Sequence, residues 1–220
     1  KSKKEVVYIF DIIYFINFYV TTFCATCLIV LLNPFVNLWL GKEMLLPISV
    51  VIIIVFNFYT RSMTSALETV RTSAGLYSPY PFFKYWSGVE GIANLVISII
   101  LAGPLKLGMF GIFLGTSISN CFTVVLLPYH VYKYVFNISS KNFYIRHAVN
   151  TLTSSLIVFI TYISSNLFES NNIFIDFIIK CFVCLIVPNI ILLLMSRNKE
   201  EFKYLLNKFN IKEKMNAIFT

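Results

Sequence analysis

The chain has 220 residues, 58% of them hydrophobic and only 13% charged, with a mean hydropathy of +0.78. Soluble domains carry about 25% charged residues, so the composition excludes a soluble globular protein and indicates an integral membrane protein. The formal net charge of +8 does not point to nucleic acid, because the basic residues sit at the ends of apolar runs and not along one soluble face.

No stretch has the layout of a cleavable signal, and a chain that starts at Lys1 is expected to be the C-terminal piece of a longer one. About 20 apolar residues cross a hydrocarbon core of roughly 30 Å, and six such segments can be traced. The first runs from Val7 to Leu32, with Asp11 near one end at the expected interface. It carries Cys24-x-x-Cys27; this pair, like Cys181-x-x-Cys184 further on, lies in an apolar run with no nearby His to complete a metal site, so both read as packing.

The second segment runs from Met44 to Thr60 and continues as helix toward Ala74. At 100° per residue, Asn57, Arg61, Thr64, Ser65, Glu68, Arg71 and Thr72 fall in one stripe about 120° wide, opposite Met63, Ala66, Leu67 and Val70. Arg61 directly follows a charge-free run, which predicts a position near the membrane boundary where its side chain can snorkel. The stripe reads either as the wet face of an emerging helix or as the lining of a polar mouth that offers Arg61 and Arg71 to an anion.

The third segment, Tyr85 to Leu105, places Ser87, Glu90, Gly91, Asn94, Ser98 and Ala102 on one face and Ile92, Val96 and Ile99 on the other. A carboxylate inside a span is by default a functional hypothesis. A face of small and polar groups is equally what helix packing in lipid uses. Glu90 is thus either cavity-lining and a candidate for ion coupling, or structural and then paired with a basic neighbour or protonated.

A few residues around Pro104 and Lys106 predict a tight hairpin into the fourth segment, Leu107 to Tyr132, where Gly111, Gly115 and Ser119 form a small-residue ridge for close helix contact. The fifth segment covers Ala148 to Phe168 and the sixth Ile173 to Met195. In the sixth, Asp176 and Lys180 lie four apart and can neutralise each other, and Pro188 predicts a mid-span kink. Beyond it, Phe202, Leu205, Leu206 and Phe209 recur at helical spacing among basic residues, which predicts an amphipathic tail helix on a membrane surface.

Of the 18 Lys and Arg, only Lys42 and Lys106 fall on one side of the six spans and Lys180 inside one; the rest fall on the other side. The excess of basic loops predicts that this side, with both termini, is cytoplasmic. No nucleophile–base pair, HExxH or phosphate-cradling glycine loop is visible, so no catalytic residue, metal ligand or cofactor is expected. The candidate substrate-binding residues are Arg61, Glu68, Arg71, Glu90 and Asn94, with Glu90 also the candidate for ion coupling.

Three collinear stretches, PFVNLWLGKE (Pro34 to Glu43), SAGLYSPYPFFKYWSGVEGIANLVISIIL (Ser73 to Leu101) and LGMFGIFLGTSISN (Leu107 to Asn120), resemble the C-terminal half of bacterial polysaccharide flippases. These are the O-antigen and capsule repeat-unit transporters of the multidrug/oligosaccharidyl-lipid/polysaccharide transporter superfamily. The resemblance implies an all-α, two-lobe transporter of twelve to fourteen spans, of which this chain supplies roughly the last six. It implies an undecaprenyl-diphosphate-linked oligosaccharide as substrate, the bacterial inner membrane as location, and a polysaccharide polymerase and a chain-length regulator as partners. Alternating access is the mechanism expected of such repeat-built transporters. The other readings are a cation-coupled drug exporter of the same superfamily, a membrane polysaccharide polymerase, and a structural membrane subunit.

Overall fold

The computed structural model describes residues 3–76, 82–168 and 170–208. The 77–81 part of the second quoted stretch, Phe209 with the remainder of the basic tail, and Lys1 lie outside the described residues. Six helices are long and apolar enough to span a membrane: α1 (Lys3–Leu40), α2 (Ile48–Ser73), α3 (Phe82–Ala102), α4 (Gly108–Val131), α5 (Lys141–Asn166) and α6 (Ile173–Ser196). A shorter helix, α7 (Glu200–Lys208), follows. The described residues contain no strand, and the protein is an all-α multi-pass membrane bundle.

Several helices outrun the apolar segments. The first begins at Lys3 and continues through Pro34 to Leu40, and the fifth begins at Lys141 rather than Ala148. Charged residues limit what a bilayer accepts, but Lys and Glu are good helix formers, so the backbone carries on where the hydropathy stops. Pro34 and Pro188 both lie inside helices that continue past them. Neighbouring helices re-satisfy the backbone groups that such prolines release. The fourth helix runs on into a π-helical turn, Tyr132–Phe136, which ends at Asn137 in the left-handed conformation (φ 59°).

The layout is a row: α3 packs on α4, α4 on α2, α2 on α1, and α1 on α5 and α6, which also pack on each other. Lipid tails are as apolar as leucine, so burial from water does not drive this packing. Contact area, aromatic pairs and interhelical hydrogen bonds do. At the basic-loop end Phe10, Tyr14, Tyr132, Phe136 and Phe143 form one aromatic cluster, with Phe10–Phe136 centroids 5.4 Å apart and Tyr14–Phe143 5.2 Å; such pairs contribute about 0.5–1.5 kcal/mol each. Beside them Arg146 bonds Asp11 at 2.7 Å and lies 4.8 Å over the Tyr14 ring, and the Tyr14 hydroxyl meets His147 Nδ1 at 2.7 Å. Deeper, Thr22 and Ser154 hydroxyls join α1 to α5 at 2.7 Å.

The tight hairpin is present: Lys106 and Gly108 adopt positive φ (55° and 54°), and the Leu107 N–H bonds the Leu101 carbonyl. The small-residue ridge lies against α3. A Cβ on Gly111 would stand 2.8 Å from Leu101 carbonyl carbon, and one on Gly115 would stand 2.8 Å from Ser98 N, closer than real contacts allow. Only glycine permits this approach. All five cysteines are free thiols, and Cys184 is buried.

The tail helix does not present all its aromatic residues to a membrane surface. Phe202 packs near Phe15 (6.4 Å) and Tyr204 edge-on to Tyr8 (5.6 Å), so α7 docks along the first helix. Lys199 lies 5.4 Å over the Phe18 ring, where burial pushes its ammonium pKa down.

Candidate functional site

Because α2 and α3 each pack on α4 and hardly on each other, a cleft opens between them with α4 as its back wall. Its volume is about 540 Å³. All five candidate residues, Arg61, Glu68, Arg71, Glu90 and Asn94, line it. The cleft runs from Arg71 and Trp86 at the basic-loop end to Asn57, Asn94 and Thr116 near the middle of their helices. At 1.5 Å per residue, the stretch from Asn57 to Arg71 spans about 21 Å.

The second helix places its residues differently from the stripe read in the sequence. Arg61 stands near the midpoint of α2, and the helix continues twelve residues beyond it, as expected of a helix that runs on past its apolar segment. Its side chain is exposed in the cleft, whereas Arg71 is buried at 5% exposure. Met63, Ala66 and Leu67 are buried in the core, as their opposite-face position requires. Ser65 leaves the stripe: it receives a hydrogen bond from Asn17 of α1 at 2.9 Å. Thr72 is exposed and bonds back to the Glu68 carbonyl, so neither residue lines the cleft.

On α3 the polar face divides along its length. Ser87, Glu90, Gly91 and Asn94 line the cleft. Ser98, one turn further, instead lies against Gly115 and donates to the Ile112 carbonyl at 3.0 Å. Cavity lining and helix packing, the two readings of one stripe, are both present in consecutive halves. The opposite face, with Ile92 and Ile99 exposed at 67% and 60%, is left for lipid or for another protein element.

Glu90 has a specific partner. Its Oε2 accepts a hydrogen bond from Thr123 Oγ1 at 2.8 Å, and that hydroxyl in turn accepts from Trp86 Nε1 at 2.9 Å. Among the described residues it makes no ion pair. Two other acidic residues of the spanning helices are paired: Asp11 with Arg146, and Asp176 with Lys180 at 2.8 Å. Deeper in the cleft, Asn94 Oδ1 accepts from Thr116 at 3.2 Å and from Ser98 at 3.1 Å. Asn57 bridges two helices, donating to the Phe113 carbonyl at 2.8 Å and accepting from Ser117 at 2.7 Å.

Sequence reading missed the back wall. Thr116, Asn120 and Thr123 follow helical spacing on α4, a signal present in LGTSISNCFT but masked by the small-residue ridge beside it. Ser119, read as a ridge residue, is buried and also lines the cleft. Trp86 gave no signal beyond its type.

No family model, no curated protein and no solved structure matches the chain. Its site is therefore read from its own chemistry. The exposed Arg61 guanidinium can bind an oxyanion through a two-pronged contact while the buried Arg71 adds positive charge at the basic-loop end, two carboxylates can accept hydrogen bonds from hydroxyls, and carboxamides and hydroxyls supply further donors and acceptors. Among the described residues no group of three or more His, Cys, Asp or Glu is placed to hold a metal ion.

Proposed function

We propose that the protein is a lipid-linked oligosaccharide flippase, and that these six spans form one lobe of it. It would carry an undecaprenyl-diphosphate-linked repeat unit from the cytoplasmic to the periplasmic leaflet of a bacterial inner membrane by alternating access. The observation that carries this reading is the cleft itself, a polar path about 21 Å long that opens on its flank instead of being closed by other helices of the bundle. A sugar chain requires such a hydrated route, a diphosphate is suited to Arg61 and Arg71, and an isoprenoid tail stays in the bilayer while its head travels. The open flank is where a second lobe would complete the cavity, and the three flippase-like stretches support the same reading. The basic loops support a cytoplasmic location for both ends of the chain, and a polymerase and a chain-length regulator are the partners that this function implies.

The equal number of carboxylates and guanidiniums favours a second reading, a cation-coupled exporter of small molecules, in which Glu90 exchanges protons while it binds a cationic substrate. Complementation separates the two. The full-length gene is introduced into a strain lacking the flippase of its own repeat unit, and lipid-linked repeat units are measured on each face of the inner membrane. The flippase reading expects relief of their cytoplasmic accumulation; persistent accumulation, with restored resistance to cationic drugs, supports the exporter.

A further inference from the structure

A second polar pocket lies at the other end of the bundle, where α1 ends and α6 begins. It measures about 270 Å³ and is lined by Asn37, Lys42, Ser170, Asp176 and Lys180 with two apolar residues. It shares no residue with the cleft. We propose that this pocket binds one acidic sugar residue, with the Lys42 and Lys180 ammoniums on its carboxylate and Asn37 and Asp176 on its hydroxyls. The choice of a sugar rests on the saccharide reading of the cleft; the existence of an anion-binding pocket does not.

The first argument is the ion pair. Lys180 lies seven residues into α6, about 10 Å along the helix, and its side chain is 12% exposed. Apolar residues in place of a buried pair are often neutral or stabilising, so folding alone does not call for Asp176 and Lys180. An intramembrane ionisable group is by default a hypothesis about a functional site. Lys180 has donated one N–H to Asp176, and the ammonium has two more to offer.

The second argument is that the frame is held before any ligand arrives. Asn33 clamps the turn that carries Lys42 from both sides, donating to the Leu46 carbonyl at 2.9 Å and accepting from Leu46 N at 3.1 Å. Gly41, at φ +90°, makes the corner from which the Lys42–Met44 turn departs. On the other wall Asn172 caps α6, accepting from Phe174 N at 3.0 Å. Sites fixed by such supporting contacts lose less entropy on binding.

The third argument is charge and size. Among the described residues Lys42 makes no ion pair, so the lining presents two ammoniums against one carboxylate. The volume lies just below the range of about 300–1,000 Å³ for small-molecule sites, which suits one ring and not a chain. Trp39, 72% exposed at this end of α1, is of the residue type enriched at membrane interfaces. A saccharide arriving on that side would meet the pocket as it leaves the bundle.

The test uses the full-length protein in nanodiscs of zwitterionic lipid, with saturation-transfer NMR to D-glucuronate, D-glucose and inorganic phosphate. We expect saturable glucuronate binding, weakened roughly tenfold in Lys42→Gln and in Lys180→Gln, equivalent to about 1.4 kcal/mol, with glucose clearly weaker. Lys42 is exposed, so its variant keeps the test valid if Lys180→Gln fails to fold. Binding unchanged in Lys42→Gln, displacement by phosphate as effective as by glucuronate, or loss of the glucuronate signal on adding phosphatidylglycerol would each overturn the assignment, the last in favour of a lipid headgroup. Export of repeat units that persists without glucuronate binding removes this site and leaves the flippase reading intact; binding without export does the reverse.

Discussion

The two halves of the α3–α4 pair carry similar residues and do different things. Toward the hairpin, Ser98 and the backbone around Leu101 and Ala102 meet Gly111 and Gly115 so closely that a methyl group would not fit. Toward the basic-loop end, Trp86, Glu90 and Asn94 meet α4 through their polar side-chain ends, at Thr123 and Thr116, and line the open cleft on the side that faces α2. Side-chain volume makes the difference. Glycine lets backbones approach until a serine hydroxyl reaches a carbonyl; indole, carboxylate and carboxamide reach α4 through hydrogen-bonding side chains and leave the same polar stripe as the wall of a cleft toward α2. A polar face on a membrane helix therefore has no single meaning, and its partner's residue sizes decide it.

The largest effect is expected from filling the closed half. Gly115→Leu places a side chain where Ser98 N stands 2.8 Å from the first added carbon. Overpacking typically costs about 1–3 kcal/mol, and here the opposing atoms are backbone and cannot yield. Membrane abundance and monodispersity in detergent should collapse; normal levels would mean that the seam is looser than described. Opening the other half should act on function instead. Glu90→Ala and Arg61→Ala, tested separately, are expected to reduce surface polysaccharide with membrane abundance unchanged, and normal export in both would remove these two residues from the site.

A smaller change sharpens the boundary between stability and function. Thr123→Val removes the hydroxyl that links Trp86 to Glu90 and with it two hydrogen bonds, at a cost of about 1 kcal/mol each. Its melting temperature should fall by a few degrees while Thr123→Ser stays near wild type; equal losses in both would point to packing. The smallest effect is expected at Gly88, where an added Cβ meets nothing within 4 Å. Gly88→Ala should leave abundance and export unchanged, which calibrates the loss at Gly115.

The number of spans was legible because hydropathy and basic loops impose it directly. Helix ends were not: Lys3 to Leu40 is one helix although charges and Pro34 interrupt its apolar run, since helix geometry does not stop where the bilayer does. The five candidate site residues were legible as stripes, each helix read by itself. What a single helix cannot reveal is which neighbour it faces. Ser65 belonged to the stripe by angle, yet Asn17 of another helix claims it. The Tyr14–His147 contact joins residues 133 apart, with no local pattern that would pair them. Thr123 looked like any hydroxyl in an apolar helix until Trp86 and Glu90 were placed on either side of it.

The most direct test of a wet cleft beside a dry seam is cysteine accessibility along α3. In a full-length protein whose native cysteines are replaced by serine, single cysteines at Ser87, Glu90, Asn94, Ser98 and Ala102 are exposed to a membrane-impermeant thiol reagent added at the basic-loop face. Labelling is predicted at Ser87, Glu90 and Asn94, falling away at Ser98 and Ala102, with lipid-linked repeat units protecting the first three. Equal labelling at all five positions, or none at any, would contradict a polar path that ends where the glycines of α4 begin.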